Sequence, residues 1–215
     1  MIRRPPRTDG DSVVGGRVVL RPLEAKDHGE WREVRLANRE WLEPWEPLPD
    51  AGSPDPVHDA QAFRSRCAAL ARHRNLDSSY HFGVFVAHQL AGELSLQNVQ
   101  RGAAQTATVG YWVDRRWAGR GIVPEACVVA FAFAFDELRL HRLEIAIVPR
   151  NTNSRRVMEK LDVREEGIAE RFLQINGTWE DHVRYGITSE EWWERRADLW
   201  DRFVTMPTRG WATPQ

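Results

Sequence analysis

The stretch GYWVDRRWAGRGIVPEA, Gly110–Ala126, holds the end of a strand, a polar loop and the start of a helix with no spacer between them. Thr106–Val113 (TATVGYWV) reads as the strand. Arg115–Gly121 is the glycine-bearing loop. Ile122–Leu138 (IVPEACVVAFAFAFDEL) is apolar nearly all round, which predicts a buried helix. Pro124 falls in its first turn, where a missing N–H costs nothing. The first N–H groups of a helix lack internal partners, and the helix dipole favours negative charge there. Gly119 and Gly121 let the backbone approach an anion closely, and Arg116 and Arg120 add charged donors. The loop therefore reads as a cradle for a phosphate or pyrophosphate. By spacing alone it also fits an ordinary structural turn. No G-x-G-x-x-G and no Walker Gly-Lys-Ser/Thr occurs, and the only lysines are Lys26 and Lys160.

Before the loop, Arg17–Leu23 predicts a first strand, and Asp27 can cap a helix carrying Trp31 and Val34 inward. Prolines break the helix over Asn38–Asp50 (NREWLEPWEPLPD). Ala60, Phe63, Cys67, Leu70 and Ala71 lie on one helical face. Tyr80–Ala87, Gly92–Val99 and Thr106–Val113 form a meander with turn-sized gaps. After the buried helix come a strand over Leu143–Val148 and a helix over Asn151–Leu161. Phe172–Ile175 and Val183–Ile187 flank Asn176-Gly177, a type I′ hairpin signal. Thr188-x-x-Glu191 is a capping box for a last helix whose inward stripe reads Trp193, Ala197, Trp200 and Val204.

This order is α+β (α/β), with a mixed, mostly antiparallel sheet between helices. The 215 residues suit a single domain, placed at 13–204, with loose tails at 1–12 and 207–215. Hydrophobic residues at 42 % and charged residues at 28 % exclude disorder over most of the length. A formal net charge of -1 gives no global field for nucleic acid, and no direct nucleic-acid binding is expected. Two cysteines, Cys67 and Cys127, make no disulfide framework and no metal motif, so no metal is expected. Both read as buried thiols. No signal peptide and no membrane span is legible, and a cytoplasmic protein is expected.

Arg116-Trp117-Ala118-Gly119-Arg120-Gly121 resembles the R/Q-x-x-G-x-G/A acetyl-coenzyme A loop of the GNAT acetyltransferase superfamily. Asn151-x-x-Ser154 at the head of the next helix is similar to a second element of that family. Within it, the chain looks most like the ribosomal-protein-alanine N-acetyltransferases of the RimJ type. That finer likeness rests on Asn38-Arg39, Pro44-Trp45-Glu46-Pro47, Phe82-Gly83-x-Phe85, Asn98-Val99-x-Arg101-Gly102, Asn176-Gly177-x-Trp179 and Asp181-His182-Val183.

The resemblance implies a GNAT fold in three α/β/α layers, acetyl-CoA as cofactor, and direct attack of a free amine on the thioester. It implies cofactor contacts from Tyr111, Trp112, Val113, Arg116, Trp117, Ala118, Gly119, Arg120, Gly121, Ile122, Asn151, Asn153 and Ser154. A backbone N–H at Val113 is the candidate oxyanion donor. Where many members carry a tyrosine acid this chain has Met158, which cannot donate a proton. Ser154, one turn earlier, falls where related RimL-type enzymes place a substitute, so it reads as acid or thiolate hydrogen-bonder, or as a helix-terminal serine bonded to backbone. The usual base positions hold Thr108 and Leu173, which leaves Glu46 and Asp181, or no dedicated base. A terminal α-amine titrates at about 7.7–8.0 and is partly neutral already. Trp45, Asn98 and Arg101 are candidate acceptor contacts. The implied acceptor is a protein N-terminus, first of all a ribosomal protein starting with Ala or Ser, and the enzyme a monomer or homodimer. The rival readings are acetylation of an aminoglycoside or polyamine, and a non-catalytic acyl-CoA sensor or ribosome-assembly factor.

Overall fold

The computed structural model describes residues 7–9, 12–49 and 52–204. The expected tail at 207–215 and most of that at 1–12 lie outside them. Nine strands form one sheet: β1 (Arg7–Asp9), β2 (Ser12–Val14), β3 (Val18–Arg21), β4 (Tyr80–Val86), β5 (Gln89–Gln100), β6 (Thr106–Val113), β7 (Arg142–Ile147), β8 (Arg164–Ile175) and β9 (Thr178–Thr188). Their spatial order is β1-β2-β3-β4-β5-β6-β7-β9-β8. Every pairing is antiparallel except β6 with β7. The helices are α1 (His28–Ala37), α2 (Arg39–Leu42), α3 (Ala60–Asn75), α4 (Ile122–Ala132), α5 (Thr152–Lys160) and α6 (Ser189–Phe203).

Strand alternation sends side chains to two faces, and each face carries its own core. On one, Phe85 and Leu90 pack with Trp31 of α1 and Phe63 of α3. On the other, Leu94, Leu96 and Val109 pack against α4, with Met158 of α5 and Trp192 and Leu199 of α6. The expected three layers follow. α4 is buried from Ile122 onward apart from Val123, as its all-round apolarity requires. It ends in a π-helical turn over Phe133–Glu137.

The expected hairpin is present and longer than read. Asn176 (φ 45°) and Gly177 (φ 81°) both take the positive φ of a type I′ turn. Asp162 takes a left-handed conformation (φ 53°) after α5, a role a short polar side chain tolerates. Several expectations are corrected. β1 and β2 extend the sheet edge where a tail was read, because strands of three residues carry too little pattern to see. Asp27 does not cap α1; both its oxygens bond the Arg21 guanidinium at 2.8 Å. The inward tryptophan of α6 is Trp192, 1 % exposed, whose indole bonds Asp136, while Trp193 is 50 % exposed. Cys127 is buried, but Cys67 is only half-buried.

Candidate functional site

β6 and β7 pair only over Thr106–Thr108 and Arg142–Glu144. Beyond that point β6 continues to Val113 and β7 to Ile147, so the two strands part inside the sheet. A cavity of about 780 Å³ lies there. The N–H of Asp114 bonds the Ala91 carbonyl on the β5 side. Alternation along the strand then turns the N–H groups of Val113 and Tyr111 toward the parted edge.

The loop after β6 is shaped as expected at its glycines. Gly119 (φ 74°) and Gly121 (φ 78°) are left-handed, and Gly121 caps the start of α4. A Cβ on Gly119 would meet nothing within 4 Å, so this backbone presents an open concave surface. Both glycines line the cavity, with Tyr111, Trp112, Val113 and Ile122. Trp117 and Ala118 also border it. The two loop arginines are placed otherwise. Arg116 lies outside the cavity lining and turns back onto Asp114, whose carboxylate takes its Nε at 2.8 Å and its backbone N–H at 2.9 Å. Arg120 also lies outside the lining, and its carbonyl accepts from Arg17.

At the head of α5, Asn151, Asn153 and Ser154 border the cavity. The Asn151 Oδ1 accepts the Ser154 N–H at 3.1 Å, so its oxygen caps the helix. The Tyr111 hydroxyl donates to the Ser154 carbonyl at 3.4 Å, and burial pushes its pKa up. Met158 is buried completely.

Of the remaining sequence candidates, Trp45 and Glu46 line the cavity. Both Glu46 oxygens are held by Arg35, at 2.6 and 2.7 Å, which opposes a role as base. Asp181 lies outside the lining and accepts the Arg171 N–H at 2.8 Å in the β8–β9 hairpin. Asn98 and Arg101 lie outside it too. Asn98 lies in, and Arg101 just beyond, the end of β5 that pairs with Thr106, whereas the cavity opens at Gly110–Val113. Arg101 forks onto Asp77 and reaches the Leu138 carbonyl. Asn98 and Arg101 therefore do not border the cavity that Trp45 lines. His182 is buried, edge-on to Phe172, with its Nδ1 on the Glu180 carbonyl.

Several residues that hold the site were missed. Arg17 at the start of β3 gives its Nη1 to the Arg120 carbonyl (3.1 Å), its Nη2 to the Gly121 carbonyl (3.3 Å) and its Nε to Glu125 (2.7 Å). Glu125 is fully buried and also accepts the N–H groups of Arg17 and Val18. The signal was legible: a lone carboxylate in an apolar helix demands partners. Trp41 donates its indole N–H to the Val113 carbonyl at 3.1 Å, and the buried Asn38 takes the Arg115 N–H at 2.8 Å. The break between α1 and α2 is thereby fastened to the end of β6.

The model of the acetyltransferase (GNAT) domain matches residues 17–164, from the Arg17 that holds the loop to the first residue of β8. The chain belongs to the GNAT acetyltransferase family. A probable N-acetyltransferase, YjcK of Bacillus subtilis (strain 168), is 38 % identical over 179 residues, covering 82 % of this chain and 97 % of that protein. The ribosomal protein uS5-alanine N-acetyltransferase of Escherichia coli (strain K12) is 28 % identical, covering 82 % and 90 %. Among solved structures, Mycobacterium smegmatis RimJ in complex with CoA-disulfide superposes with a TM-score of 0.80 at 34 % identity, covering 92 % of this chain and 94 % of that one. As a GNAT acetyltransferase of the ribosomal-protein N-acetyltransferase type, the chain is an acyl-transferring enzyme. Among its described residues no helix is long and apolar enough to cross a membrane.

Proposed function

We propose that this enzyme transfers acetyl from acetyl-CoA to the free α-amino group of a protein N-terminus, foremost that of a cytoplasmic ribosomal protein beginning with Ala or Ser. The observation that carries this reading is the cavity through the parted strands, lined from both faces of the sheet. The residues fit the coenzyme: two left-handed glycines leave a surface that no Cβ fills, at the N-terminus of a buried helix. Gly119, Gly121 and Ile122 would hold its diphosphate, and Asn151 and Asn153 its amide arm. Bound acetyl-CoA supplies an acyl group activated as a thioester.

The chain's own residues do the rest. The N–H of Val113 faces the gap and can donate to developing negative charge on an oxygen. Trp41, bonded to the same residue's carbonyl, fixes that N–H in direction. Ser154 at the cavity edge supplies a proton where a thiolate develops. No free carboxylate base is required, since part of the α-amine is neutral at pH 7. The names of the similar Escherichia coli and Mycobacterium smegmatis proteins support the protein acceptor. Acetylation of a polycation is less well served, because Glu43 and Glu46, which would attract it, are paired to Arg39 and Arg35.

The test is release of the coenzyme thiol against a panel of peptides with free Ala, Ser or Leu N-termini, N-blocked lysine peptides, spermidine and an aminoglycoside. Faster turnover of free Ala and Ser N-termini is expected. Turnover of the small amines alone would refute the reading.

A further inference from the structure

His81, Ser95 and Gly110 lie side by side in one row across β4, β5 and β6. Glu93 and Gln97 flank Ser95 two residues to either side, so all five present the same face, the one covered by α1 and α3. All five line the cavity, on the face of the sheet opposite Tyr111 and α4. Gly110 leaves the centre of this wall bare. A Cβ there would stand 3.4 Å from the Ser95 Oγ and 3.7 Å from the Gln97 Nε2. A methyl-sized group therefore fits over Gly110 in ordinary contact with two hydrogen-bonding side chains. Gln97 donates to Ser95 at 2.8 Å, which fixes both.

Charge separates the two ends of the cavity. The α5 side carries Arg156 and Lys160. The α1–α3 side carries Glu40, Glu46 and Glu93 against Arg66. With Arg35 cancelling Glu46 and Arg66 cancelling Glu93, the negative charge left over there is that of Glu40, and Glu93 contributes hydrogen-bond acceptors. Glu93 is the buried member, 8 % exposed. Its Oε1 accepts the Trp31 indole N–H at 2.7 Å and its Oε2 accepts Arg66 at 2.5 Å. A carboxylate offers about four acceptor positions, so each oxygen retains one.

We infer that the recess over Gly110, walled by Ser95, Gln97, His81 and Glu93, is the acceptor subsite, and that it takes a polypeptide N-terminus whose ammonium is drawn to Glu93 and whose small first side chain rests over Gly110. This deepens the N-terminal transfer proposed above and rests on it. A first residue of alanine or serine size fills the bare position, and a serine hydroxyl meets the Ser95–Gln97 pair. A leucine side chain exceeds it.

The test is calorimetric binding of hexapeptides beginning Ala, Ser or Leu, of an N-acetylated Ala hexapeptide and of spermidine, to enzyme saturated with CoA. Free Ala and Ser peptides bind best. Gly110→Ala places one methyl in the recess and weakens their binding about tenfold, the order expected for one methylene in a fitted pocket. Affinity for CoA and the melting temperature stay as in the wild type. Glu93→Gln removes the charge and narrows the preference for a free over an acetylated N-terminus. Gly110→Ala with wild-type peptide affinity overturns the subsite while leaving N-terminal transfer standing. Spermidine binding that Gly110→Ala weakens, with no peptide bound, overturns the polypeptide acceptor and keeps an amine subsite. Binding of neither class overturns both.

Discussion

The Arg17 guanidinium and the Glu125 carboxylate meet at 2.7 Å across 108 positions of sequence, and the same guanidinium holds the carbonyls of Arg120 and Gly121. The residue just before β3 thus ties down the glycine-bearing loop. Arg17→Ala leaves the buried Glu125 with its two backbone donors alone and frees the loop, so CoA affinity should fall about tenfold, or about 1.4 kcal/mol, and stability should fall with it. Glu125→Ala is expected to be the more damaging change. It removes the acceptor of two backbone N–H groups together with the buried half of an ion pair, a loss of about 3–5 kcal/mol. Chemical denaturation and calorimetry separate the two effects.

Gly119→Asp tests the cradle. The added Cβ meets nothing, so the fold survives at the cost of a residue strained at positive φ. The new carboxylate faces the site meant for an anion, and CoA affinity should drop by about two orders of magnitude, or about 2.7 kcal/mol. Unchanged affinity in a folded variant would remove the loop from the coenzyme site.

Ser154→Ala should lower kcat with little change in CoA affinity. A proton donor acting only as the thiolate develops contributes about 10²–10⁴-fold. Tyr111→Phe removes the hydroxyl bonded to the Ser154 carbonyl and should lower kcat less, through misplacement of the α5 head. Equal rates for wild type and Ser154→Ala from pH 6 to 9 would return Ser154 to a helix-end role.

Trp45→Ala removes a ring that borders the cavity and lies 4.7 Å beneath the Arg150 guanidinium. Cation–π contacts at such sites contribute about 0.5–1 kcal/mol. KM for a peptide acceptor should rise several-fold, and KM for acetyl-CoA should stay put. A rise in the coenzyme KM alone would place Trp45 on the other side of the reaction.

His81 is held neutral. Burial first, and then the neighbouring Arg66, pull its pKa down from 6.5 to about 4. The unfolded chain therefore binds the proton more readily, and stability present above pH 6.5 is lost as the pH falls toward 4. His81→Gln should flatten this part of the melting-temperature profile. An unchanged profile would assign the acid sensitivity to other groups.

The chemistry-bearing loop was legible because glycines, a capping position and an apolar helix each leave a local signature. The proposed acceptor recess was not, since it is assembled by strand register. His81, Ser95 and Gly110 become neighbours only once β4, β5 and β6 pair, and nothing in a single strand marks that row. Asn98 and Arg101 were read toward the cavity for the converse reason. Sequence places them near the right strand but not at which end. Arg116 is turned back by Asp114, two residues earlier, a pairing the loop's spacing does not reveal. Trp192 and Trp193 were confused because adjacent tryptophans leave a helical stripe ambiguous until its partner, Asp136, is known.

The strand order β7-β9-β8 has a consequence for synthesis. β7 finds its second neighbour only in β9, the last strand among the described residues. Until Thr178–Thr188 emerges, Arg142–Ile147 stands as a bare edge with alternate apolar side chains exposed, the kind of edge that recruits other chains. A nascent chain stopped near residue 164 would carry the coenzyme loop complete and its sheet unsealed. Closure of the sheet therefore waits for the β8–β9 hairpin. A premature stop before it should yield an aggregating species.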